Sequence, residues 1–189
     1  MQQVLSALLK EGAIGRLETI NVAVHPEEAR RRDVQSVPWT RIGPYEIQGV
    51  VSRQELERYI YGVGEPSFFD AYVLDLLKTG RRARFEALVQ HEPEQIHTLA
   101  RLMTNPQTSM AIRLGIGAVL EEFQGTGLTR PLVPALGALL KSDDPVLRAD
   151  ACHFLTLIGG AEIRPFLESC LGDANNEVRA IAAEGLADS

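Results

Sequence analysis

Two thiols, four imidazoles and a few short charged runs are the groups in this 189-residue chain with chemical potential. A reactive or metal-binding cysteine needs an electropositive setting or partners at ligand spacing. Cys170 instead falls on an apolar helical stripe with Ile163, Leu167 and Leu171. Cys152 lies on a helix of the neighbouring hairpin, and both thiols read as small buried hydrophobes. His25, His91, His97 and His153 are scattered, with none at ligand spacing from a cysteine or carboxylate. Gly125-Thr126-Gly127 follows a helix and lacks a Lys-Ser/Thr pair, so it reads as a loop rather than a phosphate cradle. Glu121-Glu122 and Asp143-Asp144 sit at helix ends. Arg30-Arg31-Arg32 and Arg81-Arg82-Ala83-Arg84 read as solvated helix termini, with an acidic partner as the other reading. The expectation is no catalytic residue, no metal and no cofactor. Val37-Pro38-Trp39 is different: an aromatic beside that proline either joins a core or lines a groove for a peptide, and both readings stand.

Composition narrows the class. The net charge of −6 argues against general nucleic-acid binding, which needs a basic footprint. Apolar stretches are too short and too often charged to span a bilayer. Met1–Lys10 has no basic start and no long apolar run, so a secretory signal is not expected. Two cysteines make no disulfide framework, and a reducing cytoplasm is the expected setting.

What positions these side chains is a copied segment. Leu132-Val133-Pro134-Ala135-Leu136 returns 31 residues later as Ile163-Arg164-Pro165-Phe166-Leu167. Pro134 maps on Pro165, Leu140 on Leu171, Arg148 on Arg179 and Ala151 on Ala182. A helical period of this length means stacked helix pairs. From Pro66 onward the stripes follow helical spacing, beginning with Phe69, Tyr72, Val73, Leu76 and Leu77 and ending with Val178, Ala182, Gly185 and Leu186. Eight short helices in four hairpins are expected over 66–189. The two aspartate-rich turns, Ser142 to Arg148 and Gly172 to Arg179, with Ala149, Ala151, Ala180, Ala182 and Ala183 behind them, resemble HEAT-like repeats. Arg113 stands in the place of Arg148. The resemblance implies an Asp–Arg ladder between turns. Short repeats of this kind also look like those of bilin lyases, although nothing here supplies a chromophore site.

Residues 1–62 read differently. Val4, Leu5, Leu8 and Leu9 follow helical spacing, and Leu17 to Val24 alternates toward strand. Pro26-Glu27-Glu28 suits the first turn of a short helix ending near Asp33. Trp39–Ile42 and Tyr45–Val50 read as strands around Gly43-Pro44, and Ser52-Arg53-Gln54-Glu55 is a capping box opening a helix. That order, with Asp33-Val34-Gln35-Ser36-Val37-Pro38-Trp39 at the entry to the hairpin, resembles the thioredoxin fold. The resemblance implies that Pro38 follows a cis bond and that the Val37 backbone pairs with an extended peptide. It also implies a first strand ending in Cys-x-x-Cys, which this chain lacks, since no cysteine precedes Cys152. The missing strand belongs between Leu17–Val24 and Trp39–Ile42. Three accounts follow: the start lies late, with the strand upstream of Met1; the sheet rearranges or is completed by another chain; or residues 1–62 form a small α+β cap of their own.

The expected fold is thus an α+β thioredoxin-like module over 1–62 and an all-α HEAT-like superhelix over 66–189. The expected function is non-enzymatic binding of a protein partner. Two surfaces are candidates: Val37, Pro38 and Trp39, and a concave face of second helices carrying Arg113, Arg148, Asp150, His153, Arg179 and Glu184. The alanine-rich last helix predicts an open end suited to a homodimer. The alternative is a thioredoxin-like thiol–disulfide oxidoreductase whose Cys-x-x-Cys lies upstream of the given start.

Overall fold

The computed structural model describes residues 1–187, and the last two positions of the open-end expectation, Asp188 and Ser189, lie outside them. The chain divides into two compact units, Met1–Phe69 and Asp70–Ser189. It is predominantly helical, and the sheet among the described residues has two strands.

In the first unit, α1 (Gln2–Lys10) buries Leu5 and Leu8 on one face, as their spacing dictates. Pro26 opens α2 (Pro26–Arg31), with Glu27 and Glu28 in its first turn and Arg30 and Arg31 in its last, the charge order that suits the helix dipole. Strands β1 (Trp39–Ile42) and β2 (Tyr45–Gln48) pair antiparallel in the register Trp39↔Gln48 to Ile42↔Tyr45. The two-residue turn has Gly43 at φ +56° followed by Pro44, the residue order that a right-twisting hairpin favours. The Val37–Pro38 bond is cis, as the resemblance implies. Helix α3 (Arg53–Tyr61) starts with the expected box: the Ser52 hydroxyl accepts from the Glu55 N–H, and the Glu55 side chain accepts from the Ser52 N–H. Leu5, Leu8, Ile47 and Leu56 form a small core between α1, β2 and α3. Beside it Tyr45 is buried; its hydroxyl donates to the Gly62 carbonyl at 2.9 Å, and its ring meets Phe68 edge-on at 5.2 Å.

The strand expected at Leu17–Val24 does not form; these residues are loop and turn. Alternation prepares a segment for a ladder, but a ladder needs a neighbour to complete its hydrogen bonds. Here the neighbour is missing. The backbone of residues 14–20 makes no backbone hydrogen bond among the described residues.

Helix α4 (Pro66–Lys78) crosses the boundary between units. After it come α5 (Arg82–His91), α6 (His97–Thr104), α7 (Met110–Glu122), α8 (Val133–Leu139), α9 (Pro145–Ile158), α10 (Arg164–Cys170) and α11 (Asn176–Ala187). Helix α8 packs on α9 and α10 on α11, while α5, α7, α9 and α11 touch in sequence as a row. The 31-residue copy explains the regularity. Pro134 and Pro165 each stand in the first turn of their helix, behind a 3₁₀ turn, where a missing N–H costs nothing. Asp144 caps α9 through the Val146 N–H at 2.9 Å, and its copy Asn175 caps α11 through the Glu177 N–H at 2.8 Å. Small residues let the layers close. A methyl added to Gly185 would lie 2.3 Å from the Thr156 hydroxyl oxygen, and one added to Gly137 would lie 2.4 Å from the Phe166 ring.

Candidate binding surfaces

The two thiols stand where their reading as small buried hydrophobes puts them. Cys152 and Cys170 are both buried and free. A hydrogen bond with Cys170, together with burial, pushes the Cys152 thiol far above its ordinary value, so it stays protonated. Among the described residues no cluster of three or more His, Cys, Asp or Glu side chains could hold a metal ion. No helix of the described residues is long and apolar enough to cross a membrane.

The arginines proposed for the concave face are drawn inward by the turns they stand on. Arg148 holds both carboxylate oxygens of Asp173, at 2.8 and 2.9 Å, and donates to the Ser142 carbonyl at 2.8 Å and the Asp143 carbonyl at 3.2 Å. Arg113 pairs with Asp150 and donates to the Thr108 carbonyl at 3.1 Å. Arg179 donates to the Asp173 and Ala174 carbonyls at 2.7 and 3.0 Å. Each arginine therefore satisfies carbonyls left over in its own turn, and two of them reach the next repeat's acid. The Arg148–Asp173 pair is a rung of the Asp–Arg ladder that the resemblance implies, whereas Arg113 reaches Asp150 within α9 and Arg179 holds carbonyls alone. The Arg148 guanidinium, with the Asn175 N–H, holds the Asp173 carboxyl down to about 2. Asp150 moves the other way: burial raises it, against the pull of Arg113.

Three of the six proposed residues, Arg113, Arg148 and Asp150, are thus committed to the stack. Arg179, His153 and Glu184 are exposed. His153 and Glu184 occupy copied positions, 31 residues apart, on the exposed side of α9 and α11. Sequence reasoning passed over two neighbours of theirs in the row. Met110 and Leu114, one turn apart on α7, are 66% and 68% exposed. The signal was present: both fall off the stripe of Ile112, Ile116, Val119 and Leu120, which is buried. Val146 on α9 is also exposed.

In the first unit, Val37, Pro38 and Trp39 come together on the wall of a cavity of about 980 Å³. Val37 and Pro38 are exposed, while Trp39 is half-buried. The Trp39 indole Nε1 is shielded from solvent and has no hydrogen-bond partner. Arg16 to Val22 also line it. On the rim, hydrogen bonds from Arg31 and Arg32 hold the Glu28 carboxyl below its usual range.

No curated protein matches this chain, and no solved structure does. The family profile described as HEAT repeats matches residues 99–187, which runs from within α6 to the end of α11 and takes in Arg113, Arg148, Asp150, Asp173 and Arg179.

Proposed function

We propose that this protein works by contact, binding a protein partner through the exposed side of its row of second helices. Repeats of the HEAT kind are in general protein-interaction elements, and stacked repeats offer extended surfaces that are rigid before binding. The observation that carries the reading is the exposed pair Met110 and Leu114 within the matched segment. Both stand on a helix whose core stripe is already buried, so their exposure does not serve the fold. Their apolar surface would form the centre of the contact, with His153, Arg179 and Glu184 as its polar edge. In this reading residues 66–189 are the binding domain. Residues 1–62 are a thioredoxin-like module, a reading supported by the order helix, helix, hairpin, capped helix. The thiol oxidoreductase alternative has no support from Cys152 or Cys170, both buried within the repeat unit.

The test is capture from an extract of the source cells with the intact chain and with the double variant Met110→Glu, Leu114→Glu. Both positions are exposed, so the variant folds. The expected result is one protein retained by the first and lost by the second. Equal retention by both would refute this face, and no specific retention by either would refute the function.

A further inference from the structure

The cavity in the first unit borders both the hairpin and the loop before α2. All four residues of β1, Trp39 to Ile42, line it, and so do seven consecutive residues of the loop, Arg16 to Val22. Side chains alternate across an extended backbone, so a cavity lying on one face of a strand touches every second residue. Contact with every residue means that the cavity runs along the edge. The register of the hairpin fixes which groups point into it. Ile42 and Tyr45 close the two-residue turn as a hydrogen-bonded pair, and the Gly49 N–H donates to the Pro38 carbonyl at 2.8 Å. Backbone groups of residues 38, 40 and 42 therefore face β2, and those of Trp39 and Arg41 face the cavity. In the loop the backbone of residues 14–20 is without backbone partners. The indole N–H of Trp39, a residue of the lining, is shielded and unpartnered.

We propose that this slot takes an extended, apolar segment of about five or six residues from another polypeptide, added as a strand between Leu17–Val22 and Trp39–Ile42. It is a second binding site, independent of the surface on the repeats. The free edge of β1 offers main-chain donors and acceptors that an extended peptide can pair and a lipid or an apolar small molecule cannot. Leu5, Ile14, Ala29 and Val34 in the lining call for apolar side chains on the incoming strand. The charges at the slot nearly balance: Arg16, Arg32 and Arg41 stand against Glu18 and Glu28, which does not select a strongly charged peptide. A second copy of this chain is a poor donor. Its β1 and β2 are already paired, and its other extended apolar stretch, Leu17–Val22, is a wall of its own slot.

The probe is the synthetic peptide acetyl-Lys-Val-Ile-Val-Phe-Val-Lys-amide, compared with the same sequence N-methylated at alternate amides. Trp39 is the only tryptophan in the chain and sits at the site, so its fluorescence reports occupancy directly. The expected result is a saturable change in Trp39 emission with the first peptide and binding weaker by about tenfold or more with the methylated one, as loss of at least two main-chain hydrogen bonds requires. Arg41→Pro, which removes an N–H on the cavity edge and none from the hairpin, should weaken the plain peptide by a similar factor. Equal binding of the two peptides would overturn the proposal, because it would show an apolar groove without strand pairing. Absence of any Trp39 response would overturn it too. A chain that sediments as a dimer and excludes the peptide would assign the slot to a second copy and would equally refute it.

Discussion

Arg148→Ala tests whether the ladder holds the repeats together. Arg148 and Asp173 are 15% and 13% exposed, far from the setting of an ordinary surface pair. The substitution removes two charge-assisted bonds to Asp173 and two donors to the carbonyls of Ser142 and Asp143. It leaves Asp173 with the Asn175 N–H at 2.8 Å, which softens the loss. Charged hydrogen bonds contribute about 1.5–3 kcal/mol each, and water recovers part of it here, so we expect a net cost of about 2–4 kcal/mol. Urea unfolding followed by helical circular dichroism measures this. A cycle with Asp173→Asn should give a coupling of about 1–3 kcal/mol between the two positions. Acid supplies a second reading. The folded carboxyl titrates near 2, below its unfolded value of about 3.9, so its contribution is whole above that value and is lost as the pH falls toward 2. Asp173→Asn should flatten that part of the acid limb. A cost below about 0.5 kcal/mol with no coupling would refute the reasoning, since that is what an idle surface pair gives.

Two further outcomes follow from packing. Gly185→Ala drives a methyl onto Thr156 and Leu167, with the Leu167 Cδ1 3.0 Å away, and should destabilise the last repeats by about 1–3 kcal/mol; Ala183, exposed on the same helix, should accept serine with no measurable loss in the same urea assay. Tyr45→Phe leaves the ring contacts in place and removes one of two donors to the buried Gly62 carbonyl, which keeps the Glu65 N–H at 3.1 Å, and should cost about 0.5–1.5 kcal/mol, read as a lower urea midpoint of the first unit by near-ultraviolet circular dichroism.

The repeat was legible because its signals are local. The 31-residue offset, the prolines of α8 and α10, the caps at Asp144 and Asn175 and the buried stripes each act within one or two turns of chain, so linear order is enough to see them. The box at Ser52 and the hairpin at Gly43-Pro44 are of the same kind. Leu17–Val24 shows the limit. Its alternation specifies an extended chain with an apolar side, yet strand formation is a property of a pair, and no neighbour is present to supply the other half of the ladder. The arginines show a second limit. Spacing placed Arg113 and Arg148 on the second helices, but only the leftover carbonyls of their own turns and the approach of the next repeat, with Asp150 or Asp173, decide that they point into the stack. Surface position follows the same logic. A side chain off the stripe is free to meet solvent, but Met110 and Leu114 become an exposed apolar pair only because the neighbouring helix leaves that side of α7 uncovered. Periodicity and capping, then, belong to the sequence by itself. The slot beside Trp39, the ladder and the open face belong to the tertiary structure, because each depends on which backbone or side-chain groups are left without a partner once the rest have packed.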